Sequence, residues 1–168
     1  MKKIYIAGPD VFEKDAQQIG KKYKELCLKY GFEGLYPLDN EIEFTTKKQT
    51  ANKIYEANID LIKEADIVIA NLNAFRGKEP DSGTVWECGY ATALGKEIYA
   101  YMDDSSAYIN RFGTKEKLLD KEIDMMVDTQ GKIIEDFDLP LNLMLGISIK
   151  NIIQGDFETI LKSICEQH

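Results

Sequence analysis

The run Ala-Asp-Ile-Val-Ile-Ala-Asn-Leu-Asn-Ala-Phe, residues 65–75, constrains the fold more than any other stretch of the chain. It is short, almost unbroken in apolar character and rich in β-branched residues. That pattern reads as a strand buried on both faces, which occurs where helices cover both sides of a parallel sheet. Its flanks agree. Residues 50–65 place Ile54, Ala57, Asn58, Leu61 and Ile62 on one helical face, and residues 84–94 read as a helix stopped by Gly95.

The rest of the chain repeats the alternation. Lys-Lys-Ile-Tyr-Ile-Ala-Gly near the start predicts a buried strand ended by Gly8-Pro9. Residues 13–30 follow as a helix, then residues 32–40 as a weak strand running into a loop, with Tyr36, Pro37 and Asp39 at its end. Residues 96–102 give another strand. The polar stretch 103–138 reads as loop plus helix, with 131–137 as a short strand, and the Met125-Met126 pair and Met144 read as packing residues. A helix over about 140–153 and a terminal helix from about 155 complete the pattern. Strand alternating with helix implies an α/β fold: a doubly wound, mostly parallel sheet, Rossmann-like or flavodoxin-like, flanked by helices. The expected organisation is a single domain over residues 1–168.

Such sheets bind ligands beyond the carboxyl ends of their strands. The segments Gly8 to Phe12, Asn71 to Gly83 and Met102 to Ser106 should therefore converge. No Gly-x-Gly-x-x-Gly or phosphate-loop motif occurs, which removes the main support for dinucleotide or nucleoside-triphosphate binding. The formal charge of −8 argues against nucleic-acid polymers and anionic membranes as partners, while leaving room for a small nucleoside. The only histidine is His168, so a His-based triad or metal site is not expected, and no cofactor is implied. Three widely spaced cysteines suit a reducing cytoplasm. The opening apolar run is too short for a signal peptide, and nothing approaches a membrane-spanning length.

At the expected rim stand Tyr5, Asp10, Phe12, Asn71, Asn73, Phe75, Arg76, Asp81 and Glu87. Paired carboxylates suit glycosyl transfer, in which one attacks or stabilises the anomeric carbon. Aromatic faces suit a flat base. Loop position assigns Asp10, Phe12, Asn73 and Phe75 to a base pocket with Arg76 at its rim. Glu87 has two readings. Thr84-Val85-Trp86-Glu87 fits the capping box Ser/Thr-x-x-Glu, in which the glutamate ties off a helix start. Alternatively Glu87 points outward as a reactive group, favoured as an anion by the helix N-terminus, with Ser82 or Thr84 as the cap.

The order of residues goes further. Tyr-Ile-Ala-Gly-Pro-Asp-Val-Phe, residues 5–12, the middle segment from Ile62 to Lys96, and Leu-Asn-Leu-Met-Leu, residues 141–145, resemble the nucleoside 2-deoxyribosyltransferase family. The resemblance implies exchange of the base of a 2′-deoxynucleoside with a free purine or pyrimidine base. It places the nucleophile at Glu87 of the Glu-x-Gly-Tyr-Ala motif and an orienting hydrogen bond at Tyr5. It places Asp81 with sugar-hydroxyl binding or the base proton, and Ser82 and Gly83 among the substrate-binding residues. Asn142 is implied to reach a neighbouring subunit's site in a homo-oligomer. At Asn58 several relatives carry an aspartate; an amide there can bind a hydroxyl but cannot donate a proton as an acid, which turns attention for that role to Asp81 or Asp10. Two rivals use the same cleft: a 2′-deoxynucleoside 5′-monophosphate N-glycosidase, and a nucleotide-binding module without catalysis.

Overall fold

The computed structural model describes residues 1–167; His168, whose entry into a site the sequence leaves open, lies outside them. Strands β1 (Lys2–Ala7), β2 (Phe32–Leu35), β3 (Ile67–Asn71), β4 (Glu97–Met102) and a late strand (Asn151–Gln154) form one sheet. Between β4 and that late strand lies a hairpin of β5 (Lys117–Asp120) and β6 (Met125–Asp128), so the late strand is β7. The sheet order is β2-β1-β3-β4-β7, and every neighbouring pair is parallel. Without the hairpin this is the 2-1-3-4-5 order of flavodoxin-like sheets, whose ligand crevice opens between the first and third strands.

Helices α1 (Ala16–Lys29), α2 (Lys47–Glu64), α3 (Ser82–Ala93), α4 (Leu143–Ser148) and α5 (Phe157–Gln167) cover the two faces. Alternation along the strands divides the core. Tyr5, Ala7, Val68, Ala70, Ile98 and Ala100 pack with Ile62 of α2 and with Cys88 and Ala91 of α3. Ile4, Ile6, Ile67, Ile69, Tyr99 and Tyr101 pack with Cys27 of α1 and with Phe157, Ile160 and Ile164 of α5. All five residues of β3 are buried, as its composition requires. Among the described residues no helix is long and apolar enough to cross a membrane. The three thiols are unpaired, with Cys27 and Cys88 buried.

Three expectations change. The helix anticipated over 140–153 is the six-residue α4 followed by β7, which pairs with β4 from Tyr99↔Asn151 to Met102↔Gln154. The short stretch Ile149 to Ile153, interrupted by Lys150 and Asn151, has no period of its own, and the open edge of β4 decides it. The stretch expected as loop plus helix holds the β5–β6 hairpin, turned through Asp124 at φ 53°, with Ile133 bridging Val127. Aspartate tolerates that left-handed backbone. Met144 is 73% exposed and Met125 is also exposed, so neither packs within the chain.

Two glycines fix close approaches. A Cβ on Gly8 would lie 2.9 Å from Asn71 Cβ, so the ends of β1 and β3 can meet only across glycine. A Cβ on Gly20 of α1 would lie 2.3 Å from the Tyr36 ring.

Candidate active site

Glu87 stands in the second turn of α3, above the face of β1 that carries Tyr5. The Tyr5 hydroxyl donates to Glu87 Oε1 at 2.6 Å. Strand alternation sends Tyr5 to this face, and the orienting hydrogen bond expected of it is present. Burial pushes the Glu87 carboxyl up to about 7; the Tyr5 hydrogen bond opposes the rise, and the charge of Asp81 adds to it. Burial, with the neighbouring Glu87 charge, drives the Tyr5 phenol far above its usual value, so it remains a donor. The adjacent Cys88 thiol is pushed up to about 12 by burial and is inert as a nucleophile.

The capping-box reading of Glu87 is overturned, and so is the expectation that Ser82 or Thr84 caps the helix. Asp81 is the N-cap: its Oδ2 accepts from the Thr84 backbone N–H at 2.9 Å and from Thr84 Oγ1 at 3.0 Å. The helix begins at Ser82, two residues before the expected start, so Glu87 lies beyond the first turn. The unpaired N–H groups of the helix start, expected to favour the anion, do not govern its acidity. Burial does.

A cavity of about 340 Å³ opens on Glu87 between α2 and α3, walled by Tyr55, Asn58, Ile59, Ile62, Gly83 and Trp86. Asn58 and Gly83, expected as substrate-binding residues, line this cavity. Tyr55 and Trp86 were not foreseen. Trp86 is 47% exposed, stacks on Tyr90 at 5.3 Å and meets Tyr55 edge-on at 5.7 Å. The signal available in the sequence was the spacing of four between Trp86 and Tyr90 on a helix whose other face is committed to the sheet.

Other expected residues are placed differently. Asp10 accepts from Asn71 Nδ2 at 3.0 Å through Oδ2 and from the Tyr23 hydroxyl at 3.2 Å through Oδ1. Asn73 donates to Asn71 Oδ1 at 2.9 Å and accepts from the Asp103 backbone N–H at 2.7 Å. Asn71 and Asn73 together thus tie the loops after β1, β3 and β4, and Asn73 borders a separate cavity with Lys78, Asp103 and Arg111. Phe12 stacks on Phe75 at 5.5 Å, with the Arg76 guanidinium 4.6 Å from the Phe75 ring centre and 5.4 Å from that of Phe12. This trio does not wall the Glu87 cavity. Arg76 holds φ 51°, a conformation that costs free energy for a residue with a Cβ. Asn142 caps α4 by accepting from the Met144 N–H at 3.0 Å and donates to Glu135 Oε1 at 2.7 Å. With Ser82 it borders an apolar hollow of about 520 Å³ outside the Glu87 cavity.

A tyrosine-oriented carboxylate facing a cavity at the crevice of this sheet can attack an electrophilic carbon once ionised. Comparison with known proteins bears on which family uses it. A sequence profile described as nucleoside 2-deoxyribosyltransferase matches residues 4–144. An uncharacterized protein of Schizosaccharomyces pombe is 32% identical over 109 residues, covering 62% of this chain and 52% of that protein, so the chain spans about half the length of this curated relative. A 2-desoxiribosyltransferase from Leishmania mexicana aligns with TM-score 0.77 and 34% identity over 100% of this chain and 99% of its own. A 2-deoxyribosyltransferase from Bacillus psychrosaccharolyticus shares the fold at TM-score 0.59 and 22% identity, covering 95% of this chain and 90% of its own. A CMP N-glycosidase from Clostridium botulinum shares it at TM-score 0.50 and 17% identity, covering 99% and 100%. The profile match across most of the chain, and the full-length likeness to the Leishmania enzyme, show that this chain belongs to the nucleoside 2-deoxyribosyltransferase family, a family of glycosyl-transferring enzymes.

Proposed function

We propose that the protein transfers 2-deoxyribose from a 2′-deoxynucleoside to a free purine or pyrimidine base, with Glu87 as the nucleophile. The observation that carries this reading is the 2.6 Å hydrogen bond that aims the Glu87 carboxylate from Tyr5 at the mouth of a cavity. One Glu87 oxygen attacks the anomeric carbon, and the departing base takes the electron pair of the glycosidic bond together with a proton from solvent. The resulting deoxyribosyl ester is opened when a nitrogen of the second base attacks the same carbon, returns the pair to Glu87 and releases its proton to solvent. Two inversions give net retention. Deoxyribose lacks the electron-withdrawing 2′-hydroxyl, which eases the oxocarbenium-like transition state.

Tyr5 orients the nucleophile and restrains its basicity. Asp81 couples the site to the helix start, since it both caps α3 and repels negative charge on Glu87. Asn58 offers an amide to the substrate, and Gly83 leaves room beside it. Phe12, Phe75 and Arg76 form an outer aromatic shelf for the base, supported by the strained backbone at Arg76. The exposed Met144 and Ile147 beside Asn142 favour a homo-oligomer in which that segment meets a neighbouring copy.

The test is covalent trapping. Incubation with a slow 2-fluorinated nucleoside should add one fluorodeoxyribosyl mass to the peptide bearing Glu87, and label on any other residue sinks the assignment. Parallel assays with deoxyadenosine and dAMP, each with and without an acceptor base, separate transfer from nucleotide hydrolysis. The Asp10 carboxylate in the loop after β1 opposes a phosphate there, which favours the unphosphorylated donor.

A further inference from the structure

The Asp10 carboxylate is engaged on both oxygens and turned away from the reacting groups. Tyr5 and Glu87 meet on the face of the sheet that α2 and α3 cover. Asp10 Oδ1 instead accepts from the hydroxyl of Tyr23, whose ring stacks on Phe157 at 4.3 Å on the face that α1 and α5 cover. Burial pushes the Tyr23 phenol up to about 12, with the Asp10 charge adding to the rise, so it remains a donor. Asp10 Oδ2 accepts from Asn71 Nδ2, and the oxygen of that amide accepts from the Asn73 backbone N–H at 3.2 Å and from Asn73 Nδ2 at 2.9 Å. An amide at position 10 would present one accepting oxygen in place of two.

Phe12 stands two residues beyond Asp10, and Phe75 two residues beyond Asn73; these are the stacked rings of the shelf. Phe12 is exposed and Phe75 only half-buried, so core packing does not fix their loops. Gly8 shows how closely the two loops are joined. Its backbone is extended at φ 164°, which any residue can adopt, yet a Cβ there would lie 2.7 Å from Asp10 Oδ2 and 2.9 Å from Asn71 Cβ. The approach of Asp10 to Asn71, and not the turn, requires glycine at this position.

Resting on the reading of Phe12 and Phe75 as the shelf for the base, we propose that Asp10, Asn71 and Asn73 are positioning residues, a hydrogen-bonded strut across the ends of β1 and β3 that holds the two rings ready for a nucleobase. Asp10 and Asn73 then act on the base through the rings that follow them and do not touch it. With the strut in place the shelf is ordered before the ligand arrives, and its loss makes binding supply that ordering.

A double-mutant cycle between Asp10 and Phe12 tests this. Deoxyadenosine and thymidine, one donor of each base class, are titrated calorimetrically into full-length Glu87→Gln protein, in which turnover does not intervene. On that background Phe12→Ala should weaken binding about tenfold, Asp10→Ala about fivefold, and the pair no more than Phe12→Ala alone, since the strut has no ring left to place. Gly8→Ala keeps the aspartate but drives it off Asn71, and should weaken binding as Asp10→Ala does. Should Asp10→Ala fail to fold, Asp10→Asn carries the same cycle with a smaller loss. A merely structural role would lower the melting temperature and leave affinity well below the melt unchanged. Losses that multiply in the double variant would make Asp10 a direct base contact and overturn the proposal, as would unchanged affinity in Asp10→Ala. Unchanged affinity in Phe12→Ala condemns the shelf itself, whereas a loss there without one in Asp10→Ala condemns only the strut.

Discussion

The Tyr5 hydroxyl, on the first strand, reaches across 82 positions of sequence to hydrogen-bond Glu87 Oε1 at 2.6 Å. On the proposed reading, Tyr5 aims the carboxyl and Glu87 reacts. Burial pushes the Glu87 carboxyl up to about 7, so the charge a nucleophile needs is gained across the neutral range.

Glu87→Gln should abolish base exchange without harming the fold. The native carboxyl is raised from 4.5 to about 7, so between those values the folded protein holds a proton that the unfolded chain has lost. Its contribution to stability is fully present below about 4.5, falls as pH rises, and is lost above about 7. The glutamine variant escapes this penalty. Thermal melts should nearly coincide at pH 5 and favour the variant at pH 8 by up to about 3 kcal/mol. A large loss of stability at pH 8 would return Glu87 to a scaffolding role.

The rate should follow the same ionisation. In the wild type, kcat/KM should climb with pH along a limb centred near 7, provided the chemical step is rate-limiting. Tyr5→Phe removes the hydrogen bond that holds the carboxyl down, so the limb should shift to higher pH and the rate at pH 6.5 should fall by about tenfold or more. A pH profile that does not move would show Tyr5 to be only a core aromatic.

Asp81 separates capping from chemistry. Asparagine at an N-cap is about as good as aspartate, so Asp81→Asn should leave the melting temperature almost unchanged. Removing the charge should move the activity limb to lower pH, since Asp81 raises the Glu87 carboxyl. Asp81→Ala should add a stability loss of about 1 kcal/mol. Denaturant titration beside a pH–rate profile checks both.

Phe12→Ala should raise the Michaelis constant for the nucleoside by about tenfold, the scale of losing one base–aromatic stack, with kcat less affected. Phe12 is 57% exposed, so stability should shift little. An unchanged Michaelis constant would remove the shelf from the binding surface and leave it as a surface cluster.

Much of the scaffold could be read from residue order. The buried run through Ile67 to Asn71 required helices on both sides, and the alternation around it gave the parallel sheet of β1 to β4. β7 was hidden because Asn151 to Gln154 is too short to show a period, and only the open edge of β4 makes it a strand. The β5–β6 hairpin was hidden because its four-residue strands are too short to show a period and Leu118, Leu119 and Met125 stay exposed rather than joining the core.

At the site, the amino-acid sequence by itself determined which groups lie at the carboxyl ends of the strands, Glu87 and Tyr5 among them, because strand and helix periodicity is local. Tertiary structure alone decided that Tyr5 meets Glu87, that Asp10 is bound to Asn71, and that Asn58 Oδ1 is buried with no hydrogen-bond partner among the described residues. Hydrogen bonding and desolvation depend on which distant groups share a volume, and that is set only when the sheet and its helices close over one another.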